Sequence, residues 1–124
     1  MDKKKFNAEK RAYQKKVATF EGKLMNARNE IDMVRVFNEM EEILMEEVAN
    51  WQSIIIEKST NGQILDEDVK KNIDAEIINL CTTIDKIDEN RKVFIKPAII
   101  LYKARLNSNQ ETEPLKYVTY DVEV

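Results

Sequence analysis

Apolar side chains recur every seven residues along the first half of the chain, at Phe6, Tyr13, Phe20, Ala27, Val34, Val48 and Ile55, with Glu41 as the polar member of the series. Companion positions fall at Val17, Leu24 and Ile31 and then at Phe37, Leu44 and Trp51, so the stripe changes flank near Val34. A sustained seven-residue repeat is the mark of a helix packed lengthwise on other helices. It predicts one helix over about residues 6–57, roughly 75–80 Å long at 1.5 Å per residue, with the change of flank marking a change of partner helix.

The segment Ser59-Thr60-Asn61-Gly62-Gln63 breaks the pattern, and Gly62 suits the left-handed backbone that closes a helix. A turn over about 58–65 leads to a second helix over about 66–106. Asp66 is its N-cap, and Glu67 and Asp68 lie favourably against the positive end of the helix dipole. The second stripe reads Ile73, Ile77, Leu80, Ile84, Ile87, Arg91, Phe94, Ala98 and Leu101. Pro97 interrupts it, predicting a kink or a stop near Lys92. Ile95, Ile99, Tyr102 and Leu106 have helical spacing, whereas Ile100, Tyr102, Ala104 and Leu106 alternate as a strand does; the expectation is helix.

Residues 107–114 read as a polar loop, and Val118, Tyr120, Val122 and Val124 alternate with polar or aromatic neighbours in a half-buried strand pattern. The predicted fold is mainly α. Residues 1–106 form a long antiparallel, coiled-coil-like helical hairpin within an oligomeric bundle, and residues 107–124 form a loop and a short β-prone tail. The short connection makes the two helices antiparallel neighbours, and facing residue numbers sum to about 123. That register places Arg91 near Glu30 and Asp32 as a structural ion pair, and leaves residues 1–16 overhanging.

Composition sharpens this picture. Two glycines and two prolines stand where an average chain of 124 residues carries roughly 15, so the elements are long. Histidine is absent and Cys81 is the single cysteine, which removes His-dependent triads, His-containing zinc sites, CxxC redox chemistry and internal disulfides. No apolar run approaches the length of a membrane span, and no secretory or lipidation signal is evident, so the expected location is the cytoplasm. Fourteen Ile, fifteen Lys and eleven Asn are typical of AT-rich coding sequence, as in low-GC bacteria and their phages.

The net charge of −3 conceals an asymmetry: residues 1–23 hold eight basic and three acidic groups, residues 24–57 two basic and eight acidic. Lys3, Lys4, Lys5, Lys10, Arg11, Lys15 and Lys16 are the candidate contacts for phosphate backbones or anionic lipid heads, without base specificity. The alternative is that they form the solvated face of a helix whose aromatics are core. The acidic run Glu39, Glu41, Glu42, Glu46 and Glu47 lacks the histidines of dinuclear carboxylate sites, and Asp66-Glu67-Asp68 lacks the glycine of a calcium loop, so no metal or other cofactor is expected. A solvated acidic face, or a patch that meets the basic start of another subunit, accounts for it.

Glu41 and Arg91 are polar residues in apolar seams, where such residues set register. Cys81 is expected to be a buried, inert thiol, and Trp51 a core anchor. Met33, Val36, Met40, Ile43, Met45 and Ile54, with Ile78, Ile99 and Ile100, exceed what a two-helix hairpin buries. Met33, Val36, Met40 and Ile43, with Val118, Tyr120 and Val122 in the tail, are therefore the candidate subunit interface. The leading functional expectation is a non-enzymatic assembly or structural protein acting through helix packing and tail contacts, a component of a phage or viral particle found in host cytoplasm or virion. The alternatives are a module that binds nucleic acid or membranes through its basic start, and a helical chaperone or inhibitor of a host protein.

Overall fold

The seven-residue repeat does not continue unbroken through residues 26–29. In the computed structural model, which describes residues 3–60, 62, 65–108 and 113–115, the predicted first helix is two: α1 (Lys3–Met25) and α2 (Glu30–Thr60). Asn29 makes the break locally. Its side-chain oxygen accepts a hydrogen bond from the Asp32 N–H at 3.0 Å, and the Asp32 carboxylate in turn accepts from the Arg28 N–H at 3.1 Å. This reciprocal arrangement resembles a capping box and satisfies donors that a helix start leaves without partners. Glu30 and Asp32 also place negative charge in the first turn of α2.

The third helix, α3 (Glu67–Asn107), begins at the Asp66 cap, whose carboxylate accepts from the Asp68 N–H at 2.9 Å. Gly62, with φ of 67°, supplies the left-handed turn before it. Helix α3 continues through Pro97 rather than stopping near Lys92. Pro97 sits on the exposed side, one turn after Val93, itself 69% exposed, so water reaches the carbonyl that the proline leaves without a donor. The described residues include no strand, and the predicted strand at 116–124 lies outside them.

Helix α1 does not overhang a hairpin; it folds back along α2. Phe6 meets Trp51 with ring centroids 5.1 Å apart, and Lys23 pairs with Glu39 at 3.1 Å, so the two helices run antiparallel. Helix α3 runs antiparallel to α2, with Phe37 stacked on Phe94 at 6.0 Å, and touches α1 through Lys10 and Glu76. The third helix that a wide apolar hairpin requires is supplied by the same chain.

One core cluster joins all three helices through Phe6, Phe37, Leu44, Trp51, Val69, Ile73, Leu80 and Ile87. A second closes the opposite end with Ile31, Val34, Ala98 and Tyr102, capped by Leu115 as the chain returns across α2. The Arg35 guanidinium donates to the Glu113 carbonyl at 2.9 Å and helps to hold that return.

Candidate functional site

Between the two apolar clusters lies a polar layer. Arg91 of α3 donates to the Glu41 carboxylate of α2 at 2.7 Å, to the Asn38 amide oxygen at 2.8 Å, and to Asp88 one turn earlier on its own helix. The side chains of Arg91 and Glu41 are 8% and 9% exposed. Burial pushes the Glu41 carboxyl above its ordinary range; the hydrogen bond and charge of Arg91 oppose that rise, while Asp88 adds to it. Arg91 thus meets Glu41, not Glu30 or Asp32. The reason is that α2 extends to Thr60, past the predicted end, which moves the turn toward the C-terminus and shifts the register.

A second polar layer holds α1 against the hairpin. Glu47 of α2 and Glu76 of α3 approach Tyr13 of α1, and Glu9 of α1 approaches Glu47. The Asn50 amide donates to Glu9 at 2.9 Å, and Lys10 pairs with Glu76 at 3.3 Å. Burial, with Glu76 and Glu47 beside it, pushes the Tyr13 hydroxyl up to about 12. The Glu47 carboxyl is raised by burial and by Glu9 and Glu76, against the lowering effect of Lys16. One Glu47 carboxylate oxygen and the Trp51 indole N–H, one turn apart on α2, are buried without hydrogen-bond partners. These layers join helices, and Asn38 of the first layer also lines a surface depression. Two surface depressions of about 150 and 330 Å³ flank Arg35 and Glu39, both open to solvent.

The residues singled out from sequence are distributed unevenly. Lys3, Lys4, Lys5, Arg11, Lys15 and Lys16 are exposed along α1, whereas Lys10 is half-buried in its ion pair. Met33, Val36, Met40 and Ile43 are half-buried, and Met33 and Met40 pack against the core, so the proposed interface of α2 is largely occupied within the chain. Val118, Tyr120 and Val122 lie outside the described residues. Cys81 is exposed rather than buried, because it follows the inward-facing Leu80 by one position and turns off the seam. Ile99, expected as surplus surface, is fully buried beside Ala98 and Tyr102.

Of the apolar residues expected as surplus, Ile78, Ile100 and Met45 do remain in water, and sequence reasoning missed Val93. Ile78, Val93 and Ile100 on α3 are 65%, 69% and 40% exposed, and Met45 on α2 is 51% exposed. Val93 carried a signal, since it stands outside the second stripe among charged neighbours. No described helix is long and apolar enough to cross a membrane, and no described cluster of His, Cys, Asp or Glu has the arrangement to hold a metal ion. No protein-family model, curated protein or solved structure matches the chain.

Proposed function

We propose that the chain is a non-enzymatic assembly protein that joins protein subunits through the outer faces of its helices. The observation that carries this reading is the apolar line Ile78, Val93 and Ile100 on α3. At 100° per residue these three positions fall within about 60° of one another and point away from the stripe that includes Ile73, Leu80 and Ile87; end to end they span roughly 33 Å. Large aliphatic side chains aligned on one exposed helix face are suited to a protein contact. Thr82, Glu89 and Lys96 share this face, so it is a mixed surface with three aliphatic anchors, which takes another helix more readily than a small molecule.

The surrounding chemistry agrees. The buried pair Arg91 with Glu41 and the half-buried pair Lys10 with Glu76 hold helices together. Small size and an Ile-, Lys- and Asn-rich composition are the support for placing the assembly in a phage or viral particle.

Sedimentation or light scattering at micromolar concentration tests the reading. The expected result is a mass above that of one 14.5 kDa chain, reduced when Ile78, Val93 and Ile100 are replaced by serine with helicity unchanged. A well-folded monomer at all concentrations overturns it.

A further inference from the structure

The outer faces of α1 and α2 carry opposite charge. On α1 the positions farthest from the buried Phe6 and Phe20 are Lys4, Ala8, Arg11, Lys15, Ala18 and Gly22, all exposed and with no acid among them. On α2 the positions farthest from Leu44 and Trp51 include Glu42, Glu46, Ala49, Ser53 and Glu57. Among the described residues, Lys4, Arg11, Lys15, Glu46 and Glu57 take part in no ion pair.

The spacings match. Lys4 and Lys15 are eleven residues apart, about 16 Å along one side of a helix after three turns, and Glu46 and Glu57 have the same separation. Two bases can therefore meet two acids at once, with the helices in either relative direction. Between them stand Ala8 and Arg11 on one side and Ala49 and Ser53 on the other; Ala8, Ala49 and Ser53 are small, and Arg11 adds a third base to the contact. Within one chain the faces never meet, because α1 and α2 pack through their opposite sides.

We infer that the basic outer face of α1 in one copy of this chain docks on the acidic outer face of α2 in a second copy. The inference rests on the assembly reading above and names the partner as the chain itself. The contact uses two different patches, so it is heterologous. Each added copy leaves one basic and one acidic face free, which yields a ring where the rotation closes and a filament where it does not. Exposed ion pairs contribute little individually and are screened by salt, so the contact is weak and salt-labile, and repetition gives it strength. The acid spacing on the same chain favours this partner over a phosphate backbone.

The test uses the full chain and two double variants, Lys4→Glu with Lys15→Glu, and Glu46→Lys with Glu57→Lys. All four sites are exposed, and circular dichroism checks that helicity is retained. The wild type is expected to associate at low salt, with self-affinity falling about tenfold between 50 and 500 mM NaCl. Each variant alone loses association at low salt, and an equimolar mixture of the two restores it. Association that is unchanged in both variants, or a mixture that stays dissociated, overturns the inference while leaving the assembly reading intact. A monomeric wild type at every salt concentration overturns both. If duplex DNA or anionic vesicles bind the wild type and not the first variant, while self-association is unaffected, the basic face serves a polyanion and the inference fails.

Discussion

Arg91 and Glu41 are each other's buried partners, joined across α2 and α3 at 2.7 Å in a layer completed by Asn38 and Asp88. Each occupies an apolar seam of its own helix, and each makes the other tolerable there. Desolvating a lone carboxylate or guanidinium costs more than a single hydrogen bond returns, so the pair acts as a register lock between the two helices.

Replacing Arg91 by Met leaves Glu41 buried without its cation and should destabilise the protein by about 3–5 kcal/mol in urea unfolding. The double variant Glu41→Met with Arg91→Met should recover most of that loss, since the layer then packs as part of the apolar core. A double variant as unstable as the single one refutes the coupling.

The docking of α1 depends on Phe6 against Trp51. Phe6→Ala removes a buried ring and should cost about 3–5 kcal/mol. Trp51 is fully buried, so its emission should shift to the red as the end of α1 comes away. An unshifted spectrum would mean that α2 and α3 alone keep the indole dry.

Glu47 and Glu41 both have raised carboxyl pKa values in the folded state. A folded state that holds the proton more tightly than the unfolded chain is stabilised below the raised pKa and loses that advantage as pH rises through it. Thermal unfolding should therefore show a higher Tm near pH 5 than near pH 7. Glu47→Gln should raise Tm at pH 7 and flatten the dependence; a Tm that falls on acidification in the wild type contradicts the assignment.

Tyr13 has its hydroxyl pushed up to about 12 from 10.0. The unfolded chain then ionises first, so stability should fall as pH climbs from about 10 and stop falling beyond about 12. Tyr13→Phe should remove this alkaline loss, which a Tm series from pH 9 to 12 measures directly.

At the start of α2, Asn29→Ala should cost about 1 kcal/mol by leaving the Asp32 N–H without its side-chain acceptor. Unchanged stability would show that the turn at 26–29 is held by packing alone.

Much of this architecture is legible in the residue pattern. The apolar stripes, the Asp66 cap, the turn at Gly62, and the singling out of Glu41, Arg91 and Trp51 all follow from rules acting over a few residues. The break at 26–29 was hidden because the spacing from Phe20 through Ala27 to Val34 keeps its period across a loop. The stripe's change of flank near Val34 falls inside α2, past the break, and so did not reveal it.

The sequence by itself determined that the chain is helical, which face of each helix is apolar, and which charges lie outside, since periodicity and capping act within one or two turns. Only the tertiary structure decided that α1 folds back to cover its own chain, that Arg91 meets Glu41, and that Val93 stays in water while Ile99 is buried. Those outcomes depend on where a four-residue turn redirects the chain and on where α2 ends. A shift of one turn there changes every facing pair while leaving the local pattern untouched.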